Sequence, residues 1–271
     1  SRIVPPQGFA LETIELGGVR GKVVKTLLQL PFKLLKAFSQ ARGVIKRVQP
    51  DVVIGLGGYL TVPGGLMAAM SGVPVVLHEQ NSVAGMANKV VAKVAKRVFT
   101  AFPKVFAKGE WVGNPLRQPF LEQGAPAQRF AGRTGTLKLL IVGGSLGAKA
   151  LNEIVPKALA LIPADQRPQV THQSGAAQID ALRANYQAAG VQAELTPFID
   201  DTAKAFAEAD VIVCRAGAST VTEIAAVGAA AVYVPFPAAV DDHQTSNARF
   251  LVDAGAGWLM PQSTLSPHGL A

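Results

Sequence analysis

The chain has 271 residues, of which 49% are hydrophobic and 16% charged, enough apolar material for one large or two small buried cores. Its formal net charge of +8 favours an anionic partner, such as a nucleotide phosphate, a nucleic acid or an acidic membrane surface. The single cysteine, Cys214, excludes an internal disulfide, and the lack of any run of about 20 apolar residues argues against a membrane-spanning helix.

The first part of the chain predicts a basic helix followed by alternating strands and helices. Residues 11–15 alternate weakly, as in a strand, and a helical apolar pattern runs from Val23 to Val48, with Pro31 kinking or dividing it. No acidic residue lies between Glu15 and Asp51, so this helix can lie on an anionic bilayer. An ordinary surface helix packed on a sheet is the alternative. The elements that follow are predicted strands at 52–54, 73–77 and 97–100 and predicted helices at 61–71 and 83–95.

The rest of the chain predicts a second α/β unit. A turn-rich connection at 111–117 and a polar loop at 124–135 indicate a domain boundary near 114–120. The predicted strands lie at 137–142, 170–172, 194–196, 210–213 and 229–235, and the predicted helices end near 161, 188, 209, 228 and 254. Such regular alternation is typical of α/β proteins with parallel sheets.

Two stretches resemble each other and suggest two similar domains. In Asp51–Val62 and in Asp210–Val221, an aspartate opens a β-branched run, a glycine turns it, and Thr-Val begins a helix. Chance similarity between two βα turns is the alternative. Loops of this kind present backbone N–H groups and the positive end of a helix dipole, which favours phosphate or nucleotide binding.

A third glycine loop, Gly143–Ala148, follows a clear strand. It is not a full dinucleotide fingerprint, because Val142 occupies the first glycine position and no acidic residue ends the next strand at His172. A nicotinamide enzyme is therefore disfavoured. The loop can still bind a phosphate through its N–H groups and the Ser145 hydroxyl, although an ordinary tight turn is the alternative.

Several polar side chains are candidates for chemistry, each with a structural alternative. Thr220 and Glu223 form a capping-box pattern, but a carboxylate beside a glycine loop can also accept ribose hydroxyls. Arg117 is placed to reach a phosphate across the gap between the domains, or is a surface arginine. His78 and Glu79 can act as acid or base, or as a hydrogen-bonded structural pair. Adjacent side chains rarely converge on one ion, so the run 241–243 is a weak metal candidate.

An ordered set of short motifs resembles the MurG family of bacterial cell-wall glycosyltransferases over nearly the whole chain. The motifs are Gly57–Gly65, His78–Asn81, Val112–Arg117, Val142–Ala148, His172–Gly175, Cys214–Gly217, Thr220–Glu223, Asp242–Gln244 and Asn247-Ala248. The resemblance implies the GT-B fold, in which two Rossmann-like domains with parallel sheets face each other across a cleft. It also implies inverting transfer of N-acetylglucosamine from UDP-GlcNAc to the muramyl 4-hydroxyl of lipid I, which gives lipid II.

The resemblance further implies an acceptor and membrane-side domain at 1–116 and a UDP-GlcNAc-binding domain at 117–271. Arg117 and Ser145 match residues on the diphosphate side, Ile199 matches the residue whose backbone meets uracil, and Glu223 matches the ribose ligand. The other matched substrate-binding residues are Ala218, Ser219, Thr220, Val221, Thr222, Gln244 and Asn81 on the donor side and Tyr59 and His78 on the acceptor side. No cofactor, metal or nucleic-acid partner is implied. The partners are UDP-GlcNAc, lipid I and the anionic cytoplasmic face of the bacterial inner membrane.

The family pattern also begins with a strand and a glycine–histidine loop that are not among these residues, and it continues beyond them. We therefore expect a chain truncated at both ends that binds donor without turning it over. The catalytic candidates within the sequence are His78 and Glu79. Two alternatives remain at this point: another GT-B nucleotide-sugar enzyme, or a non-catalytic UDP-sugar-binding subunit at the membrane.

Overall fold

The computed structural model describes residues 4–15, 30–144, 146–237 and 242–271. The chain divides into two compact units. The first comprises Ser1–Gln80 and Ala84–Val112, and the second comprises Asn81–Val83 and Gly113–Ala271. The short segment 81–83 therefore belongs to the second unit although the first unit surrounds it in the sequence.

The first unit is built on a parallel sheet, as predicted. Its strands are β1 (Val53–Gly55), β2 (Val75–Glu79), β3 (Arg97–Thr100) and β4 (Glu110–Trp111), paired in that order. Its helices are α1 (Leu30–Val48), α2 (Thr61–Met70) and α3 (Met86–Val91). The core lies between sheet and helices, where Leu77 and Val75 of β2 pack against Ala68 of α2 and Val91 of α3. Valine and leucine suit β2 because a central parallel strand is buried on both faces.

The segment at 11–15 does not form a strand, so that prediction is wrong. It contacts α1 through side chains instead. The Glu15 amide donates to Gln40 Oε1 at 2.9 Å, Lys36 pairs with Glu15 at 2.5 Å and Arg47 with Glu12 at 2.9 Å. The predicted helix is described from Leu30 onward, and its earlier part lies outside the described residues.

The second unit carries the larger parallel sheet. Its strands are β5 (Lys138–Val142), β6 (Gln169–Gln173), β7 (Glu194–Thr196), β8 (Val211–Cys214), β9 (Ala230–Tyr233) and β10 (Gly257–Leu259), in the spatial order β10-β9-β8-β5-β6-β7. Its helices are α4 (Gln118–Leu121), α5 (Pro126–Phe130), α6 (Lys149–Leu161), α7 (Ile179–Ala189), α8 (Thr202–Glu208), α9 (Ala218–Val227), α10 (His243–Val252) and α11 (Pro267–Leu270). The predicted α/β class with two Rossmann-like parallel-sheet units is confirmed.

The order of the second sheet brings the loops after four strands together at one edge. Strands β8, β5, β6 and β7 are parallel neighbours, so the loops after their carboxyl ends lie side by side. The loop after β5 is Gly143–Ala148, the loop after β7 begins at Pro197, and the loop after β8 leads into α9. In open α/β sheets this edge is where ligands bind.

Candidate functional site

The glycine loop after β5 has its glycines where a side chain would collide. Gly147 has φ +76°, and a Cβ built there would lie 2.0 Å from the Ser174 carbonyl oxygen. A Cβ on Gly143 would lie 2.6 Å from the Ala148 amide nitrogen. Gly175 approaches from the other side, with φ +84° and a Cβ position 2.6 Å from the Gly147 nitrogen. The glycines of this loop thus pack tightly against the turn after β6. Ser145, whose hydroxyl was predicted to bind a phosphate, lies outside the described residues.

The N-terminus of α9 presents backbone donors that have no partner among the described residues, next to this loop. Gly217 is the N-cap residue in an extended conformation, and within the described residues no side chain caps the helix. The amides of Ala218, Ser219 and Thr220 occupy the first turn, where no intrahelical acceptor is available. By contrast, the Val221 amide donates to the Gly217 carbonyl at 3.0 Å and the Val221 side chain is buried. The helix therefore presents three amides and the positive end of its dipole to an anion.

The capping-box interpretation of Thr220 and Glu223 is wrong. Because α9 begins at Ala218, Glu223 lies beyond the first turn and cannot reach the N-cap amide. The Thr222 hydroxyl donates to Ala218 O at 2.8 Å and accepts from Asn114 Nδ2 at 3.1 Å. Its role in this structure is to tie α9 to the connection before α4.

Glu223 is paired with Arg117 instead. An Arg117 guanidinium nitrogen lies 3.0 Å from Glu223 Oε1 and 2.8 Å from the Thr202 hydroxyl of α8. The guanidinium also lies 5.0 Å from the ring centroid of Phe120, which is buried. The Glu223 side chain is 15% exposed and that of Arg117 61% exposed. Arg117 is thus a solvent-accessible cation paired with a mostly buried carboxylate, and a guanidinium is suited to bind an anion.

A cavity of about 150 Å³ is lined by Gly144 of the glycine loop, by Thr220 in the first turn of α9 and by Glu223. Its lining residues are Val142, Gly144, Gln173, Phe198, Ile199, Thr202, Phe206, Thr220 and Glu223. Ligand pockets typically measure about 300–1,000 Å³, so this cavity accommodates part of a nucleotide and leaves the remainder at the open edge. A larger groove of about 420 Å³ shares only Phe198 and Ile199 with it and otherwise contains none of the predicted binding residues.

Two further predicted donor-side residues act as hydrogen-bonding partners within the second unit. Gln244 Oε1 accepts from the Phe236 amide at 2.8 Å. Asn247, which is fully buried, accepts from both the amide and the hydroxyl of Ser82 at 2.8 Å and donates to Asn81 Oδ1 at 3.3 Å. Asn81 is therefore attached to the second unit, the unit that holds the glycine loop and α9.

The predicted catalytic residues lie at the end of β2 in the first unit. Glu79 is 2% exposed, and its Oε2 accepts from the Gly85 amide at 3.0 Å and from Asn88 Nδ2 at 2.7 Å. These contacts make Glu79 a residue that positions the start of α3. His78 is also buried, with 7% of its surface exposed, whereas Tyr59 after β1 is 53% exposed.

Other reactive side chains do not form a site of their own. Among the described residues, no three His, Cys, Asp or Glu side chains are grouped to hold a metal ion, and Asp241 lies outside that part of the chain. Burial raises the pKa of the Cys214 thiol to about 12, so the nucleophilic thiolate is disfavoured. No helix in the described part of the chain is long and apolar enough to cross a membrane.

Sequence reasoning missed two residues of this site. Thr202, the first residue of α8, lines the cavity and accepts a hydrogen bond from Arg117, a contact between residues 85 positions apart that local patterns do not reveal. Gln173 lies inside the His172–Gly175 motif but received no role. Gln173 is a polar residue at the end of a predicted buried strand. That position could have identified it as a site residue, because the carboxyl ends of parallel strands form the ligand-binding edge.

The chain matches known proteins along its whole length. Models of the glycosyltransferase family 28 N-terminal and C-terminal domains match residues 1–100 and 138–271. A UDP-N-acetylglucosamine–N-acetylmuramyl-(pentapeptide) pyrophosphoryl-undecaprenol N-acetylglucosamine transferase from Paracidovorax citrulli is 73% identical over 271 residues, which are 100% of this chain and 76% of that protein. The protein of the same name from Albidiferax ferrireducens is 70% identical over 271 residues, which are 100% of this chain and 70% of that protein.

Solved structures agree with these sequence matches. The crystal structure of Acinetobacter baumannii MurG superimposes with a TM-score of 0.83 at 43% sequence identity, covering 99% of this chain and 76% of that one. Identity at this level over the full chain is far above what a shared fold alone explains. The chain therefore belongs to the MurG family of glycosyltransferases, within glycosyltransferase family 28 and the GT-B fold.

Proposed function

We propose that the chain is an inverting glycosyltransferase that moves N-acetylglucosamine from UDP-GlcNAc to the muramyl 4-hydroxyl of lipid I, yielding lipid II and UDP for peptidoglycan synthesis. The carrying observation is the glycine-loop edge of the second unit, where Glu223, Gly144 and Thr220 in the first turn of α9 line one cavity and Arg117 pairs with Glu223. Relatives at 70% identity and above bear the name of this enzyme. We retain the division into an acceptor domain at 1–116 and a donor domain at 117–271 as part of the proposal.

The chemistry of inverting transfer fits these residues. The acceptor 4-hydroxyl attacks the anomeric carbon of the donor sugar, the bond from that carbon to the UDP β-phosphate oxygen breaks, and a base takes the hydroxyl proton. Negative charge then accumulates on the departing diphosphate. The amides at the start of α9, the glycine loop and the Arg117 guanidinium can bear that charge without a metal ion. Since Glu79 is bound to Gly85 and Asn88, His78 is the better base candidate of the two predicted residues.

Within this proposal, Glu223 binds the ribose hydroxyls. Its carboxylate lines the cavity together with Ile199, and Ile199 belongs to the segment that the family resemblance associates with uracil. Arg117 compensates the charge of the carboxylate in the absence of ligand and lies close enough to turn toward the diphosphate. The remaining donor-side residues, Ser145, Gln244 and Asn81, stay predictions for the diphosphate and the sugar.

Replacement Glu223→Gln keeps the side-chain size and is expected to weaken UDP binding by about 1–3 kcal/mol, because a hydrogen bond to a charged group is lost. The melting temperature should change little, since Glu223 does not cap its helix and glutamine keeps an oxygen that can accept from Arg117, whose side chain is 61% exposed. Titration calorimetry with UDP measures the effect. Glu153→Gln is the matched control, because Glu153 is half-exposed in an i,i+4 pair with Lys149, away from the cavity. Unchanged UDP affinity in Glu223→Gln would remove Glu223 from the binding site.

The reaction class is tested by product analysis. UDP-GlcNAc labelled in the sugar is incubated with a lipid I analogue, and the products are separated by chromatography. The proposal expects labelled disaccharide lipid and free UDP, in amounts that depend on the acceptor. Conversion of UDP-GlcNAc to an epimeric UDP-sugar without acceptor would assign the chain to another class of GT-B nucleotide-sugar enzyme. Donor binding with no chemistry in a reaction supplied with acceptor would agree with the expectation from the sequence that the chain binds donor without turnover, and would favour the non-catalytic alternative over the proposal.

We also propose that the first unit binds the anionic cytoplasmic surface of the inner membrane through α1. Ala37, Ala41 and Ile45 form the buried face of this helix. Phe32 and Leu35 are 75% and 67% exposed. The helix carries the basic residues Lys33, Lys36, Arg42, Lys46 and Arg47. Exposed aromatic and aliphatic side chains among cations are typical of helices that lie in a bilayer interface.

The double replacement Phe32→Ser with Leu35→Ser is expected to abolish binding to vesicles of phosphatidylglycerol while leaving UDP affinity and melting temperature unchanged. Both side chains are exposed, so their loss removes little from the core. Vesicle sedimentation measures binding, and binding by the unaltered chain should fall steeply with added salt. Leu137→Ser, at another exposed apolar residue, is the matched control. Equal binding to neutral phosphatidylcholine vesicles in high salt would contradict the electrostatic contribution.

A further inference from the structure

Gln173, the last residue of β6, uses all of its side-chain amide protons inside the second unit. Its Oε1 accepts from the Gly144 amide at 3.1 Å, and its Nε2 donates to the Gly144 carbonyl at 3.0 Å and to the Pro197 carbonyl at 3.1 Å. The residue is 3% exposed. A buried amide with these contacts is rigid, because moving it would leave both its own and its partners' polar groups unpaired.

These contacts join two loops that follow the strands on either side of β6. Gly144 belongs to the glycine loop after β5, and Pro197 begins the segment after β7 that continues into Phe198 and Ile199. Gln173 itself lines the cavity of about 150 Å³ together with Gly144, Phe198 and Ile199. A single side chain therefore contacts both loops while also facing the cavity between them.

We propose that Gln173 is a positioning residue that fixes the spacing between the glycine loop and the segment after Pro197, and so couples binding of the diphosphate to binding of the base. This inference rests on the proposed UDP-GlcNAc function. A ligand that touches both loops gains affinity only when they are correctly spaced. A ligand that touches one of them does not depend on that spacing.

The residue type follows from the contacts. Gln173 has to accept one hydrogen bond and donate two, which only an amide does among side chains of this length. Asparagine is shorter by one methylene group and cannot reach both loops. A carboxylate would place negative charge against the Gly144 and Pro197 carbonyl oxygens, and an apolar side chain would leave the three backbone groups unpaired.

The glycine loop has other supports, so removing Gln173 contacts should change spacing rather than unfold the loop. Gln178 Nε2 donates to the Leu146 carbonyl at 2.9 Å, and the Gly147 amide donates to the Gly144 carbonyl at 2.9 Å. The close approach of Gly147 to Gly175 also remains. None of these contacts reaches the segment after Pro197.

The first test is Gln173→Met, with calorimetric affinities measured for UDP, for uridine and for inorganic pyrophosphate. We expect the UDP affinity to fall by about 5–150-fold, the usual range for coupling between two sites, while the affinities for the two fragments fall much less. An equal loss for all three ligands would indicate a merely structural role and overturn the proposal. Unchanged UDP affinity would overturn it as well.

The second test is Gln173→Glu, which also decides the matter if Gln173→Met does not fold. The introduced carboxyl faces two carbonyl oxygens, so its protonated form restores a donor whereas its ionised form is repelled. The ratio of variant to unaltered UDP affinity should therefore rise as the pH falls from 8 to about 5. A pH-independent ratio would contradict the proposal. Taking the ratio cancels the titration of UDP itself.

Asn185→Leu is the matched control. Asn185 Nδ2 donates to the Asn152 carbonyl at 2.9 Å and contacts neither loop, so its loss should lower the melting temperature without changing the affinity for any of the three ligands. The proposed function and the role of Gln173 are contradicted by different results. If the unaltered chain does not bind UDP, the proposed function fails and the role of Gln173 fails with it. If the unaltered chain binds UDP, and Gln173→Met does not lower the affinity for UDP more than the affinities for uridine and pyrophosphate, only the role of Gln173 fails.

Discussion

Gly147→Ala is expected to lower the melting temperature strongly and to remove measurable UDP binding. The residue has φ +76°, and the added Cβ would lie 2.0 Å from the Ser174 carbonyl oxygen and 2.8 Å from Gln178 Nε2. A left-handed backbone costs alanine about 1–2 kcal/mol. Overpacking adds about 1–3 kcal/mol, and here the obstacle is backbone that cannot rotate away. The glycine loop must therefore move, and its amides leave the anion site. Thermal unfolding and UDP titration measure the two effects.

Gly144→Ala is the matched control within the same loop. Gly144 has φ +82°, but no described atom outside its chain neighbours lies within 4 Å of a Cβ built there. The substitution should therefore cost only the backbone preference of about 1–2 kcal/mol and keep UDP binding detectable. If Gly144→Ala and Gly147→Ala were equally damaging, the close approach to Ser174 would not be the reason for glycine at position 147.

His172 is expected to make the chain less stable as the pH falls from 7 to 5. The imidazole is fully buried, 3.0 Å from the Tyr186 hydroxyl and 3.0 Å from Asn152 Oδ1, and burial lowers its pKa from 6.5 to about 3. Below pH 6.5 the unfolded chain binds a proton that the folded chain does not. The associated stability is thus complete above pH 6.5 and is lost as the pH falls toward 3. At pH 5 the loss amounts to about 2 kcal/mol.

His172→Gln separates this contribution from that of every other titrating group. The amide keeps hydrogen-bonding capacity toward Tyr186 and Asn152 but carries no titratable proton. Denaturant unfolding at several pH values should give a lower stability for the variant at pH 7 and a flatter dependence between pH 7 and 5. An identical pH slope in the two chains would show that folding does not lower the pKa of His172.

The sheet and its glycine loops were predictable because each rests on a strong local pattern. Strands β5 and β8 lie in the centre of the parallel sheet and are buried on both faces. Strands of that kind are rich in Val, Ile and Leu, so the composition of these runs predicts their burial. Glycines that follow such runs mark βα turns at the ligand-binding edge. The family resemblance added the donor chemistry, which local patterns alone left open.

Short elements were not predictable in this way. Strands β4 and β10 comprise Glu110–Trp111 and Gly257–Leu259, and both form only because a neighbouring strand supplies hydrogen-bond partners. Helix α5 lies within the loop predicted at 124–135, and α4 lies just before that loop, where no element was predicted. The start of α9 was misplaced because its N-cap is Gly217, which has no side chain to signal a cap.

The contacts that define the site join residues far apart in the sequence. Arg117 and Glu223 are separated by 106 positions, and Gln173 binds Gly144 and Pro197, which are 29 and 24 positions away. Each residue type was consistent with a surface role when read alone. Only the strand order β8-β5-β6-β7 brings their loops to one edge, and strand order is not encoded in local periodicity.

The attachment of Ser82 to Asn247 determines how this protein can be divided or recombined. A gene fragment that begins at Gly113 would encode most of the second unit but would leave Asn247 Oδ1, fully buried, without both of its donors from Ser82. An orphaned buried acceptor costs about 1–3 kcal/mol, a substantial fraction of a domain's stability. Chimeras between relatives should therefore exchange residues 81–83 together with residues 113–271.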